Sequence, residues 1–143
     1  MNNLYLIVRI GGRPVALPAT QVGSVVEIDE IAPVPRAPAH VAGLFALRSR
    51  VLTVIDTRAS LCLPPAEQAK LANAAIVSHE GHSYALLVDE VDDVIEAGAP
   101  EPSPAVLESN WAFAALGVIR HGDSVLPVLD PVQLIRGCLL KAA

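Results

Sequence analysis

The sequence predicts an all-β protein built from two similar small barrels packed together. An internal duplication, short apolar runs cut by frequent turn signals, and an aliphatic composition all point to it. A shift of 69 positions carries Ile7-Val8 onto Ile76-Val77, Gly12 onto Gly81, Ala16-Leu17 onto Ala85-Leu86, and Val22, Val25 and Glu27 onto Val91, Val94 and Glu96. Further along the offset grows to 74, so that Gly43 meets Gly117, Val51-Leu52 meets Val125-Leu126, Val54 meets Val128 and Asp56 meets Asp130. Two colinear blocks of this kind read as tandem β units, and the seam between them is a natural place for a partner.

The elements follow in order. Leu4 to Ile10 is a β-rich apolar run, and Gly11-Gly12 after it is a tight-turn signal because both residues accept positive φ. Pro14 to Pro18 is the return strand, whose prolines place its end there or put it on an edge. Val22, Val25 and Val26 predict a short helical turn leading into a strand that reaches Ile28. Pro33, Pro35 and Pro38 force an extended crossing. Gly43 to Arg48 and Val51 to Asp56 form a hairpin about Ser49-Arg50. Pro64 to Asn73 connects the halves and carries a helical turn. The second half repeats the scheme: Ala75 to Ser78, a turn at Glu80 to His82, and Tyr84 to Val88. The acidic stretch Asp89 to Asp93 interrupts it before Val94-Ile95 resumes. After the proline-rich Gly98 to Pro104, Leu116 to Ile119 and Val125 to Leu129 close a last hairpin. Asp130 caps and Pro131 begins a C-terminal helix, with Leu134, Ile135 and Cys138 on its apolar face.

Each half, at roughly 70 residues, is marginal for independent stability, so the two are expected to share a buried surface. The chain is 52% hydrophobic but only 3% aromatic, which requires an aliphatic core and excludes disorder. Charged residues at 17% are few, and exposed apolar surface, a mark of protein contact, is the expected consequence. A net charge of −5 with scattered Lys and Arg offers no positive face for nucleic acid. The charge-free stretch from Pro14 to Val26 is too short to cross a bilayer, and no secretory signal is expected. Cys62 and Cys138 read as buried small hydrophobes in a reducing cytoplasm, with a disulfide between them as the alternative.

Candidate chemistry is thin. Asp89, Glu90, Asp92 and Asp93 lack the pattern of a calcium loop and read as a solvated turn or a charged rim. His79 and His82 flank a turn with no further ligand nearby. Asp56 and Asp130 are repeat equivalents that end apolar strands; capping is the simple reading, and acid–base work would need the halves to bring them together. Arg48 stands at a hairpin edge, either as a solvated turn residue or as a forked donor aimed at a partner. Gly43 serves its own turn or leaves a floor where another backbone approaches. No catalytic residue, metal or cofactor is expected.

The run Pro33 to Leu44, then Leu47-Arg48, then Val51 to Arg58, resembles the CheW family, the coupling proteins of bacterial chemotaxis arrays. Leu87 to Val91, Val94-Ile95, Gly117 to Ile119 and Leu126 to Asp130 resemble its second-half pattern, and the match runs from about Leu4 to Leu134. The resemblance implies one CheW-like domain over residues 1–143, with two five-stranded SH3-like barrels (4–63 and 74–135) and a short C-terminal helix. It implies a cytoplasmic, non-enzymatic adaptor that joins the cytoplasmic tip of a methyl-accepting chemoreceptor to a CheA-type histidine kinase, without inserting into the membrane. By the same resemblance, Val25, Glu27, Gly43, Arg48, Val88 and Val91 line an apolar receptor groove between the barrels. Val51, Thr53 and Ile55 meet the kinase. Ser49 stands where the family has glycine, Thr53 where it has proline, and Ala46 where asparagine is common, so partner choice differs at the hairpin tip. The alternatives are an adaptor of a non-flagellar chemosensory pathway, controlling pili, surface behaviour or a second messenger, and a small-ligand sensor.

Overall fold

The computed structural model describes residues 3–28, 30–63, 72–102, 111 and 114–137. Among the described residues ten strands run in chain order: β1 (Asn3–Ile10), β2 (Arg13–Pro18), β3 (Val22–Ile28), β4 (Val41–Leu47), β5 (Arg50–Asp56), β6 (Ala72–His79), β7 (His82–Val88), β8 (Glu90–Ala97), β9 (Ala115–His121) and β10 (Ser124–Leu129). A 3-10 turn leads into β3, but it is formed by Ala19–Gln21, ahead of the valines whose spacing predicts it; Val22, Val25 and Val26 all lie in the strand. Two short helices follow the last strand of each repeat, α1 (Thr57–Ser60) and α2 (Pro131–Arg136). The Asp56 carboxylate accepts from the amides of Arg58 and Ala59, and that of Asp130 from Val132, so both aspartates are caps.

The strands form two five-stranded sheets, A in the order β8-β1-β2-β10-β9 and B in the order β3-β6-β7-β5-β4. The repeat relates β1–β5 to β6–β10, and under that relation the two orders are identical. Each sheet takes its central hairpin from one repeat and its other three strands from the other repeat. The segments 4–63 and 74–135 therefore mark the duplication, while neither one makes a sheet alone. The chain trades strands because a two-stranded ribbon is marginal until more strands or a second layer cover it.

The expected closed barrels are not formed; the sheets are open. Closure would hydrogen-bond β3 to β4 and β8 to β9. The free edge of β4 is instead taken by Ala32, which exchanges two backbone hydrogen bonds with Leu44 (2.9 and 2.8 Å), and that of β9 by Glu101 with Val118 (2.8 and 2.9 Å). Strand β2 lies inside sheet A between β1 and β10, and its prolines fall at its ends. Its register with β10 is confined to Val128 against Ala16, where neither proline interferes.

Three apolar cores result, and the strand period of two explains them. Tyr5, Ile7, Ala16, Ile119, Leu126 and Val128 line the inside of sheet A. Ile28, Leu52, Val54, Ala74, Ile76 and Ala85 line the inside of sheet B. The alternate residues Leu6, Val8, Ile10, Val15, Leu17, Ala75, Val77, Leu86 and Val88 meet in a shared core between the sheets, with Ile55, Leu61, Trp111, Leu129 and Leu134. Central strands covered on both faces read as unbroken apolar runs, which is why Leu4 to Ile10 shows no alternation. The interior of the expected seam groove is thus filled by the protein's own side chains.

Three further readings are corrected. The acidic stretch interrupts the strands only at Asp89, a bend between β7 and β8; β8 then spans Glu90 to Ala97 with a register shift against β1 that skips Asp92, since an edge strand with one solvated face accepts carboxylates there. The β4–β5 turn is Arg48-Ser49, because Arg50 already pairs with Leu47. Cys62 is half-buried and disulfide-bonded, so it is not a simple buried thiol. Cys138 and the inter-repeat connection 64–71 lie outside the described residues.

Candidate protein-interaction site

The outer face of the β4–β5 hairpin is the most prominent apolar surface on sheet B. Leu44 faces Thr53 and Ala46 faces Val51 across the hairpin. Strand parity sends Leu52 and Val54 into the core of sheet B and leaves Val51, Thr53 and Ile55 on the opposite side. That side grades along the strand: Val51 is 65% exposed, Thr53 half-buried, and Ile55 only 1% exposed within the shared core. Of the three residues expected to meet the kinase, Val51 and Thr53 are reachable and Ile55 is structural.

Arg48 crowns this face at the turn, exposed, with φ of 58°. The left-handed region costs a non-glycine residue roughly 1 kcal/mol. Such strain persists where the surroundings enforce it and is concentrated at functional positions. Val25 and Glu27 are exposed on β3, the opposite edge of sheet B in strand order, with Val25 beside Ala75 of the shared core. Val91 is half-buried against that core beside Val8. The expected groove set therefore divides. Val25, Glu27 and Val91 sit at the rim of the shared core, while Arg48 belongs to the hairpin face with Val51.

Two members of the set are corrected. Val88 is 5% exposed and packs in the shared core, so it offers no groove surface. Gly43 is a floor for another backbone, but that backbone is the chain's own: a Cβ there would lie 2.3 Å from the Ala32 carbonyl oxygen.

The acidic stretch supplies a lock between the sheets. The Asp89 carboxylate accepts from Nε and Nη2 of Arg58 (3.0–3.3 Å) and from the Gly12 amide (2.9 Å), joining α1, the β1–β2 turn and the end of β7. Arg9 reaches Asp92 at 3.2 Å from the neighbouring strand. Asp89→Ala is expected to lower the melting temperature by about 3–6 °C, since a bidentate pair 26% and 27% exposed contributes roughly 1–2 kcal/mol. Asp93, which among the described residues accepts only from the adjacent Val94 amide, is the near-neutral control. Equal shifts for the two alanine variants would sink the assignment.

Sequence reasoning missed several exposed apolar residues, Val94, Leu116 and Val125 on sheet A and Leu44 on sheet B. The duplication could have found two of them, because it relates Val25 to Val94 and Val51 to Val125. Among the described residues no three His, Cys, Asp or Glu side chains converge on a metal-sized site, and no helix is long and apolar enough to cross a membrane.

Two open sheets fused across a common core, with their apolar side chains presented on a hairpin face and on edge strands, define a β module whose outer surfaces suit protein contact. The comparisons with known proteins agree with that class. The family model described as a CheW-like domain matches residues 4–138. The chain is 30% identical over 115 residues to the chemotaxis protein CheW of Treponema pallidum, covering 76% of this chain and 68% of that one. It is 24% identical over 127 residues to the chemotaxis protein CheW of Bacillus subtilis, covering 87% and 81%. Among solved structures, the scaffolding protein TtCheW from Thermoanaerobacter tengcongensis has the same fold, with a TM-score of 0.78 at 23% identity over 91% of this chain and 90% of that one. The chain belongs to the CheW family.

Proposed function

We propose that this protein is a non-enzymatic, cytoplasmic chemotaxis adaptor that couples a methyl-accepting chemoreceptor to a CheA-type histidine kinase. Membership of a family whose relatives are named as chemotaxis and scaffolding proteins supports the role. The observation that carries it is the hairpin face, where Leu44, Ala46 and Val51 stand exposed beneath the strained Arg48. In this reading Arg48 meets a partner carboxylate at the rim of an apolar contact, Val51 and Thr53 carry the kinase-facing surface, and Val25, Glu27 and Val91 meet the receptor helices. Many such modest contacts add up through repetition in an array.

Arg48→Glu is expected to weaken receptor-coupled kinase stimulation and pull-down of the kinase by about tenfold or more, with the melting temperature unchanged. Arg48→Gly is expected to weaken coupling too while raising the melting temperature by about 3 °C, because it relieves the positive-φ cost. Normal coupling by the glutamate variant would remove the hairpin from the interface. Ser49 and Thr53 lie at the tip and on this same face, and their departure from the family pattern favours a second reading, a chemosensory pathway whose output is not flagellar. The identity of the kinase and receptor captured with the wild-type protein decides between the two outputs.

A further inference from the structure

The first repeat lends its hairpin, β1–β2, to sheet A, whose other strands, β8, β9 and β10, all come from the second repeat. The hairpin fills a slot between two strands of that repeat. Strand β1 pairs with β8 from Asn3 against Ala97 to Arg9 against Glu90, and Ala16 of β2 pairs with Val128 of β10. Tyr5, Ile7 and Ala16 pack with Ile95, Ile119, Leu126 and Val128 inside the sheet. The covalent tether from this hairpin to β3 is the 3-10 turn Ala19–Gln21. The tether is bare: none of its residues is buried, no side chain caps it, and its turn bond runs from the Val22 amide to the Ala19 carbonyl. Pro18 (φ −59°, ψ 119°) and Val22 (φ −102°, ψ 116°), on either side, already have extended backbone. Straightening the turn therefore carries β2 away from β3 and leaves both strands as they are. The duplication supplies an internal comparison. Its shift of 69 places Asp89, in the joint between β7 and β8, at the position of Thr20. That joint is clamped, since the Asp89 carboxylate holds Arg58 and the Gly12 amide while its own amide donates to the Arg9 carbonyl at 2.8 Å. Among the described residues no side-chain bond holds Thr20 or Gln21, and both are exposed.

We propose that the β1–β2 hairpin exchanges between two copies of this chain, each inserting its hairpin into the other's sheet A, to give a two-fold dimer. Every contact that seats the hairpin in the closed chain is made again with the second copy, residue for residue. Only the tether changes, and it loses one backbone bond. The closed and exchanged forms thus keep the same packing, and protein concentration and tether length decide between them. Exchange draws Val8, Ile10, Val15 and Leu17, all completely buried, out of the shared core. It therefore passes through an opened chain and is slow under native conditions. In the dimer Val91 stands beside Val8 of the second copy, so the receptor surface assigned above to Val91 is built from two chains. The exchange itself does not depend on that assignment.

The test uses the full-length protein, opened in urea near its unfolding midpoint at high protein concentration, returned to buffer, and separated by size exclusion with light scattering. A dimer is expected that keeps its mass on dilution and reverts to monomer only after a second passage through urea. Dimer refolded from a mixture of isotope-labelled and unlabelled protein is expected to show nuclear Overhauser contacts between Tyr5 of one copy and Ile95 of the other. The contact between Ser60 and Leu134 should stay within one copy. Deleting Thr20 and Gln21 removes the room for the turn and is expected to raise the dimer fraction about tenfold or more, and inserting two glycines after Gln21 to lower it by a similar factor. Wild-type refolding and the glycine insertion keep the test valid if the deletion variant fails to fold. Return of the wild type as monomer alone at every concentration, or a dimer without contact between Tyr5 and Ile95 of different copies, would overturn the exchange. So would a dimer fraction that ignores tether length, or α1–α2 contacts passing between copies, which would put the hinge at Asp89.

Discussion

Gly43→Val is expected to cost at least about 3 kcal/mol of stability, and Gly117→Val the same. Both glycines have φ of 151°, a conformation that side chains rarely adopt. A Cβ at Gly43 would meet the Ala32 carbonyl oxygen at 2.3 Å, and one at Gly117 the Glu101 carbonyl oxygen at 2.4 Å. Those carbonyls belong to the bridges that occupy the free edges of β4 and β9, so the strand must break its bridge or shift. Urea unfolding measures the loss. If Gly43 instead served only as a floor for a partner, its valine variant would keep full stability and lose coupling alone. That pattern would overturn the structural assignment, and a loss at one glycine without the other would overturn the equivalence of the two sheets.

Leu86→Ala is expected to destabilise the protein by about 2–5 kcal/mol and to leave a single melting transition lowered by roughly 6–15 °C. Leu86 is completely buried in the shared core, where truncation leaves a cavity contacting both sheets. Hydrogen exchange supplies the sharper readout: amides of β1 and β2 in sheet A should lose protection together with those of β6 and β7 in sheet B. Protection lost in sheet B alone would show that the two sheets unfold independently, against the common core. Val51→Ala, at a residue 65% exposed, should scarcely move the melting temperature, which separates core from contact surface.

Much of the fold was legible in the residues. Nearly all the strands, the capped C-terminal helix and the crossing before Gly43 were readable, because each rests on local chemistry: apolar runs, glycines at turns, prolines that forbid helix, and an aspartate before Pro131. The candidate site was legible in part. Arg48 and Val51 read as exposed and are so. Val88 and Ile55 were expected on contact surfaces and are buried, since a branched aliphatic residue in a β run looks the same whether its face meets solvent or a second sheet. The lock joining Arg58 to Asp89 crosses 31 positions, beyond the reach of any local pattern.

The amino-acid sequence by itself determined that the chain is β, duplicated, aliphatic in its core and related to CheW, because strand period, turn chemistry and repeat offset are local or colinear properties. Only the tertiary structure decided which strand lies beside which. Alternation tells each side chain which face it occupies, yet it is silent on the neighbour across the ladder. The exchange of β3, β4 and β5 into one sheet with β6 and β7 follows from burying both faces of the central hairpins, and that burial exists only once distant segments have met.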